Sequence, residues 1–264
     1  MDNIYFGLKK RPFSKEISTD EMFQSYDSKE TLIRLDHLKN HRGIFLLTGE
    51  PGGGKTSILR KFVSKLNPQV YRHAYTPHSS VTRSDFYRQL NFILGQSHKS
   101  RKSDLFIQIQ KAILKDYDQN GKIPCIILDE CQMMDTLTLR EIALITNFEM
   151  DSRLPFILIL IGQPEFRETL KKAVHEPLAQ RISMSYHIAG LDKIETQQYI
   201  QHRLKVAGRT EPLFTDKASQ LIFELSNGLP RKIGNYAQDA MTLARIKKLK
   251  TIDEEIVIKI KGGI

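Results

Sequence analysis

Cysteine is scarce in this 264-residue chain, which has only Cys125 and Cys131. Both fall in or beside an apolar stretch and neither has a histidine at zinc-ligand spacing, so no disulfide framework or zinc site is indicated and reduced core thiols are expected. Long apolar runs are lacking too. Nothing approaches the ~20 consecutive apolar residues that span a bilayer, and polar and charged residues are spread through the first thirty positions in place of a continuous apolar h-region. A cytoplasmic protein with no membrane segment is the expectation. Internal repeats and low-complexity tracts are absent, and Pro and Gly cluster only over turn-sized stretches. With 40% hydrophobic and 27% charged residues, the composition is that of a globular chain with a sizeable core and no extensive disorder.

Acidic residues are scarce in one region. The chain carries a net charge of +10, yet residues 61–115 hold ten basic and two acidic residues, a local excess of +8. The corresponding values are +2 for 1–60, −4 for 116–189 and +4 for 190–264. Such a concentration suggests contact with a polyanion, and the plainer alternative is a solvated basic face.

What is present is alternation. Ile44–Thr48 is a short apolar run ending at a glycine loop, and Ser57–Leu66 then shows helical spacing through Ile58, Leu59, Phe62, Val63 and Leu66. Val70–Thr76, Ile123–Leu128 and Phe156–Ile161 are further strand candidates, read as buried on both faces because they lack polar alternation. Strands separated by helices predict a doubly wound parallel sheet. After Gly190 the strand signals stop. Helical patterns follow at Asp192–Val206, Asp216–Leu225 and Arg231–Arg245, with Thr215 as a cap, Gly228 as a stop and Pro230 at a helix start. The expected division is an α/β nucleotide-binding domain over 1–189 and a small all-helical lid domain over 190–264.

The chemistry is carried by Gly49-Glu50-Pro51-Gly52-Gly53-Gly54-Lys55-Thr56, which matches G-x-x-x-x-G-K-[ST] between a predicted strand and a predicted helix. Glycines let backbone N–H groups turn inward around phosphates, and the helix start favours negative charge. Lys55 reaches the β and γ oxygens and Thr56 offers a hydroxyl to Mg²⁺, with Ser57 next on the helix. Cys125–Glu130 is an apolar strand ending in two carboxylates, which the sheet carries to its carboxyl edge. There Asp129 is expected to hold Mg²⁺ through water and Glu130 to orient or deprotonate the attacking water. Gln163, after the Phe156–Ile161 strand, brings an amide to the same edge. Arg181 and Arg231 have no role that spacing alone assigns.

Taken in order, these residues resemble AAA+ ATPases of the transposition-regulator and ExeA-like group, which includes TnsC, TniB and IstB-type helper ATPases. The likeness runs through Phe6-Gly7-Leu8 with Arg11-Pro12-Phe13, the Gly49–Thr56 loop, Leu128-Asp129-Glu130-Cys131-Gln132, Ile161-Gly162-Gln163-Pro164-Glu165, Gln180-Arg181-Ile182 and Gly228-Leu229-Pro230-Arg231. Cys131 stands where the group commonly has alanine. The resemblance implies ATP and Mg²⁺ as ligands, Gln163 as the sensor on the fourth strand and Arg231 as the lid sensor that contacts the γ-phosphate. Arg181 becomes an arginine finger offered in trans, and Phe6–Phe13 the stretch that lies against the adenine.

The basic region gains a role by the same resemblance. Ser84–Leu94 and Ser103–Leu114 read as two serine-capped helices within an elaboration spanning 77–115. Between them lie His98, Lys99, Arg101 and Lys102. In the transposition helpers this elaboration grips the DNA backbone, so Thr82, Arg83, Lys99, Arg101 and Lys102 are the expected contacts to double-stranded DNA without sequence preference. Three functions compete: a transposition regulator that self-associates into a ring or filament with ATP and recruits a transposase, an ExeA-like secretion or envelope-assembly ATPase, and a nucleotide-dependent scaffold. Glu130 argues against the scaffold, since non-hydrolysing relatives often lose that acid.

Overall fold

The computed structural model describes residues 2–77, 82–97 and 99–261. Five strands form one sheet: β1 (Gly43–Gly49), β2 (Tyr71–Pro77), β3 (Ile123–Asp129), β4 (Ile157–Gly162) and β5 (Ile182–Ile188), in the order β2-β3-β4-β1-β5. The β1–β4, β3–β4 and β2–β3 pairs are parallel, with Thr48 opposite Gly162, Leu128 opposite Leu160 and Pro77 opposite Asp129. The helices are α1 (Asp2–Tyr5), α2 (Tyr26–His41), α3 (Lys55–Ser64), α4 (Arg83–Ile93), α5 (Lys102–Leu114), α6 (Thr136–Ile145), α7 (Pro164–Leu170), α8 (Glu176–Ala179), α9 (Lys193–Val206), α10 (Asp216–Ser226), α11 (Pro230–Ile246) and α12 (Glu254–Lys261). This is the parallel sheet flanked by helices of a P-loop core, with a helical C-terminal region. None of the described helices is long and apolar enough to cross a membrane.

Burial follows strand position. Every residue of β1 and β4 is buried, as expected for central parallel strands, and all of β3 except its first residue. β2 departs from the expectation of burial on both faces: it is an edge strand, and Tyr75 is 41% exposed. β5, on the other edge, alternates half-buried with exposed residues from Ile182 to Tyr186 and is not anticipated from apolar runs, because an edge strand needs only one covered face.

The chain divides into two compact units. One comprises Thr31–Gly49 and Phe62–His187. It contains the sheet and a core in which Ile44, Leu46, Ile126, Leu158 and Leu160 meet Phe86, Leu90, Leu105, Ile109 and Phe166. The other gathers the N-terminal stretch up to Glu30, the segment Glu50–Lys61 and the chain from Ile188 onward. Its core joins Phe6 and Leu8 to Ile200, Leu204, Ile222, Ile233, Ala237, Met241 and Val257. Residues far apart in sequence are strapped together there: Arg203, 8% exposed, donates through Nε to Pro12 O at 2.6 Å and through Nη2 to Ser14 O at 2.5 Å. Arg209 donates to Phe6 O at 3.0 Å and the Lys9 N–H to Ala207 O at 2.8 Å.

Local signals explain the helices of that second unit. Asp192 and Glu195 form a reciprocal capping box on α9, and Thr215 accepts the Ala218 N–H at 3.1 Å to cap α10. α10 stops where Asn227 and Gly228 turn left-handed, at φ 51° and 69°. A Cβ on Gly228 would lie 1.9 Å from Leu191 O, so only glycine permits this close approach.

Candidate functional site

The phosphate-loop motif runs from the end of β1 into α3, as its spacing predicts. Gly52 and Gly54 adopt φ of +85° and +102°, conformations that L side chains rarely take. The Glu50 carbonyl closes the loop by accepting the Gly53 N–H at 3.0 Å and Lys55 Nζ at 3.1 Å. Lys55, 9% exposed, therefore has its ammonium turned back over the loop. Arg231, in the first turn of α11, belongs to the same compact unit and meets this loop directly. Its N–H donates to Gly52 O at 3.3 Å, and a Cβ on Gly52 would lie 2.7 Å from Arg231 Cβ. Two motifs some 180 residues apart in sequence are thus neighbours.

In the sheet unit, β1, β3 and β4 end together at one edge, bringing Asp129, Glu130 and Gln163 to adjacent strand ends. Asp129 is buried. Its Oδ1 accepts the Glu130 N–H at 2.8 Å and its Oδ2 accepts the Tyr75 hydroxyl at 3.0 Å. Burial and the negative charge of Asp129 push the Tyr75 hydroxyl pKa up, so it stays a donor at neutral pH. Glu130 is exposed and left-handed, at φ 57° and ψ 37°, a strained conformation for a residue with a side chain. Gln132, which spacing gave no role, links two of these positions: its Nε2 donates to Glu130 Oε2 at 2.5 Å and its Oε1 accepts the Gln163 N–H at 3.1 Å. Gln163 also stands at the N-cap of α7 with Pro164 next. Arg181 is half-buried, immediately before β5.

Both cysteines are buried; burial pushes the Cys125 thiol up to about 12 and the Cys131 thiol further in the same direction. They are inert core thiols. Among the described residues no group of three or more His, Cys, Asp or Glu side chains could hold a metal ion.

The basic region is less free than its composition implies. α4 is capped by Thr82, not Ser84: its hydroxyl accepts the Asp85 N–H at 3.3 Å and donates to Asp85 Oδ2 at 2.6 Å. Ser103 is likewise not a cap, since Arg101 occupies that position on α5. Lys102 forms an ion pair with the buried Glu141 and lies 5.6 Å from the Tyr87 ring centroid. Arg72 pairs with Asp116 and Arg88 with Asp85, at 2.8 and 2.7 Å, and Lys61 is buried. Thr82 and Lys102 are therefore committed within the fold, because a hydroxyl used in a cap and an ammonium paired with a buried carboxylate would have to give up those bonds to meet a phosphate. Arg83, Lys99 and Arg101 are exposed. His98 and residues 78–81 lie outside the described residues.

A glycine-rich phosphate loop after the first strand and paired acids after the third define a P-loop ATPase of the AAA class. The chain belongs to the AAA domain family, whose profile matches residues 38–170. It is 33% identical over 243 residues to general secretion pathway protein A of Aeromonas hydrophila, covering 91% of this chain and 44% of that protein. It is 26% identical over 189 residues to an uncharacterised HTH-type transcriptional regulator of Methanocaldococcus jannaschii, covering 69% of this chain and 45% of the other. The chain thus spans less than half the length of the curated relatives it matches. In fold it is similar to the Aeropyrum pernix ORC1 protein solved in complex with DNA, with a TM-score of 0.69 at 16% identity over 97% of this chain and 69% of that one.

Proposed function

We propose that this chain is the ATP-hydrolysing switch of a secretion or envelope-assembly ATPase. The observation that carries the catalytic part is the acidic edge of the sheet, where a buried Asp129 and a left-handed, exposed Glu130 follow one another at the end of β3. In this reading the N–H groups of Gly49–Gly54 and the start of α3, with Ser57, cradle the phosphates, and Lys55 leaves the Glu50 carbonyl to offset their charge. Glu130 takes up the proton of the attacking water as its oxygen bonds to the γ-phosphorus and the bond from that phosphorus to the β–γ bridging oxygen breaks, releasing ADP; Gln163 contacts the γ-phosphate, and Arg231 reports on it from the lid domain at 190–264. Thr56 and Asp129 would hold Mg²⁺, which neutralises phosphate charge when bound. One hydroxyl and one carboxylate suit a small hard cation that keeps most of its waters. Self-association would let Arg181 serve a neighbouring subunit's nucleotide.

The likeness to general secretion pathway protein A over 91% of this chain supports the secretion role over the transposition role. A second reading, sequence-independent binding of duplex DNA in partnership with a transposase, rests on Arg83, Lys99 and Arg101, all exposed within the +8 region.

One variant tests both. Glu130→Gln should bind ATP yet turn over ~10²- to 10⁴-fold more slowly, the loss expected for a positioned base, and unchanged turnover would refute the role of Glu130. The ATP-loaded variant is then titrated with salt on unrelated DNA duplexes. Absence of ATP-dependent binding supports the secretion reading. Binding that weakens steeply with salt, with a slope reduced by about one unit when Arg101 is replaced by alanine, would establish the DNA reading.

A further inference from the structure

Gln132 is used at both ends of its side chain, yet none of the roles above includes it. It lies half-buried on the single 3-10 turn Cys131–Met133 that follows Glu130. Its amide cannot be inverted without loss. A backbone N–H only donates, so the atom 3.1 Å from Gln163 N must be the oxygen, which leaves the NH₂ facing Glu130 and makes the carboxylate the acceptor at 2.5 Å. Gln163 directly follows β4, a central strand buried along its whole length, so the far end of the bridge is anchored at the end of a fully buried strand.

The main chain of Glu130 is held as firmly. Its N–H is bonded to Asp129 Oδ1 at 2.8 Å, its carbonyl accepts the Met133 N–H at 2.9 Å, and its left-handed φ of 57° fixes where the side chain leaves the backbone. The side chain beyond that point is exposed, and several rotatable bonds separate it from the backbone. An exposed glutamate without a partner would spread over several rotamers, and a base misplaced by about 1 Å can cost ~10²-fold in rate. The geometry points to Gln132 as the positioning residue for Glu130: it aims the carboxylate at the attacking water, taking its reference from the end of β4. This rests on the role proposed for Glu130.

The test compares steady-state and single-turnover ATP hydrolysis by the full chain and by the Gln132→Leu, Gln132→Glu, Glu130→Gln and Glu130→Gln/Gln132→Leu variants. Gln132→Leu removes both hydrogen bonds at nearly constant volume. It should lower kcat by ~10- to 10²-fold with KM for ATP and melting temperature little changed. Gln132→Glu keeps an acceptor for the Gln163 N–H but sets a second carboxylate against Glu130, so it should lose at least as much. Being isosteric, it also carries the test if the leucine variant fails to fold. Adding Gln132→Leu to Glu130→Gln should cost nothing more, because the group being positioned is already gone. A Gln132→Leu or Gln132→Glu variant with wild-type kcat, a kcat that rises, or losses that multiply in the double variant would each overturn the inference. Normal turnover in Glu130→Gln alone would instead remove the role of Glu130 itself, so the two failures are told apart.

Discussion

The phosphate loop and the acidic end of β3 hold their functional groups by different means. In the loop main-chain atoms carry much of the holding: the Glu50 carbonyl accepts from Gly53 N and Lys55 Nζ, the Gly52 carbonyl accepts from Arg231 N, and two glycines supply left-handed φ. At the end of β3 side chains do much of the holding. Tyr75 fixes Asp129 and Gln132 fixes Glu130, each reaching from a position that the phosphate-loop and paired-acid motifs leave out. A loop held by backbone tolerates most side-chain changes and fails where a Cβ intrudes. An edge held by side chains should lose function in steps, one hydrogen bond at a time.

The sharpest way to break that contrast is Gly52→Ala. The added Cβ would meet Arg231 Cβ at 2.7 Å in a conformation with φ of +85°, so the loop must shift, and ATP affinity measured by titration calorimetry should fall on the order of 10²-fold. Affinity within about threefold of wild type would show that the loop moves without cost and is not set by its backbone. Next in size is Tyr75→Phe. It removes one hydrogen bond to a buried carboxylate, discounted because Tyr75 is partly exposed, so kcat should drop about fivefold, equivalent to about 1 kcal/mol. An unchanged kcat would mean that Asp129 keeps its orientation without Tyr75. The smallest effect is expected for Glu50→Ala. Only the carbonyl of Glu50 takes part in the loop's bonds, and its side chain is exposed, so ATP affinity should stay within about twofold. A large loss there would place a side-chain function inside the loop and collapse the distinction.

The sequence made the central strands legible to within a residue, because β1, β3 and β4 are buried on both faces and therefore appear as unbroken apolar runs. It made the edge strands harder to read. β5 shows no apolar run and β2 reads as buried on both faces although one is open, since a strand with one open face carries a weaker apolar signal. The caps of α4 and α5 lie two residues before the serines that the local pattern favours: at α4 another hydroxyl residue, Thr82, fits the pattern equally well, and at α5 the cap is Arg101, which makes no side-chain cap bond and so leaves no signal in the sequence. Charge counting overstated the free basic surface for a related reason: Lys102 finds Glu141, and Arg72 finds Asp116, across sequence distances that a local count does not see.

What the sequence determined by itself is whatever depends on neighbours along the chain: the phosphate loop between a strand and a helix, the paired acids at a strand end, the helical C-terminal region with its caps, and membership of the AAA class. What only the tertiary structure decided is whatever depends on residues brought together from afar. Arg231 lies against Gly52, Phe6 and Leu8 enter the core built from the chain beyond Leu191, and Gln132 joins Glu130 to the end of β4. The physical reason is that a motif records short-range backbone geometry, whereas a contact between residues far apart in sequence exists only once the tertiary fold has set their separation.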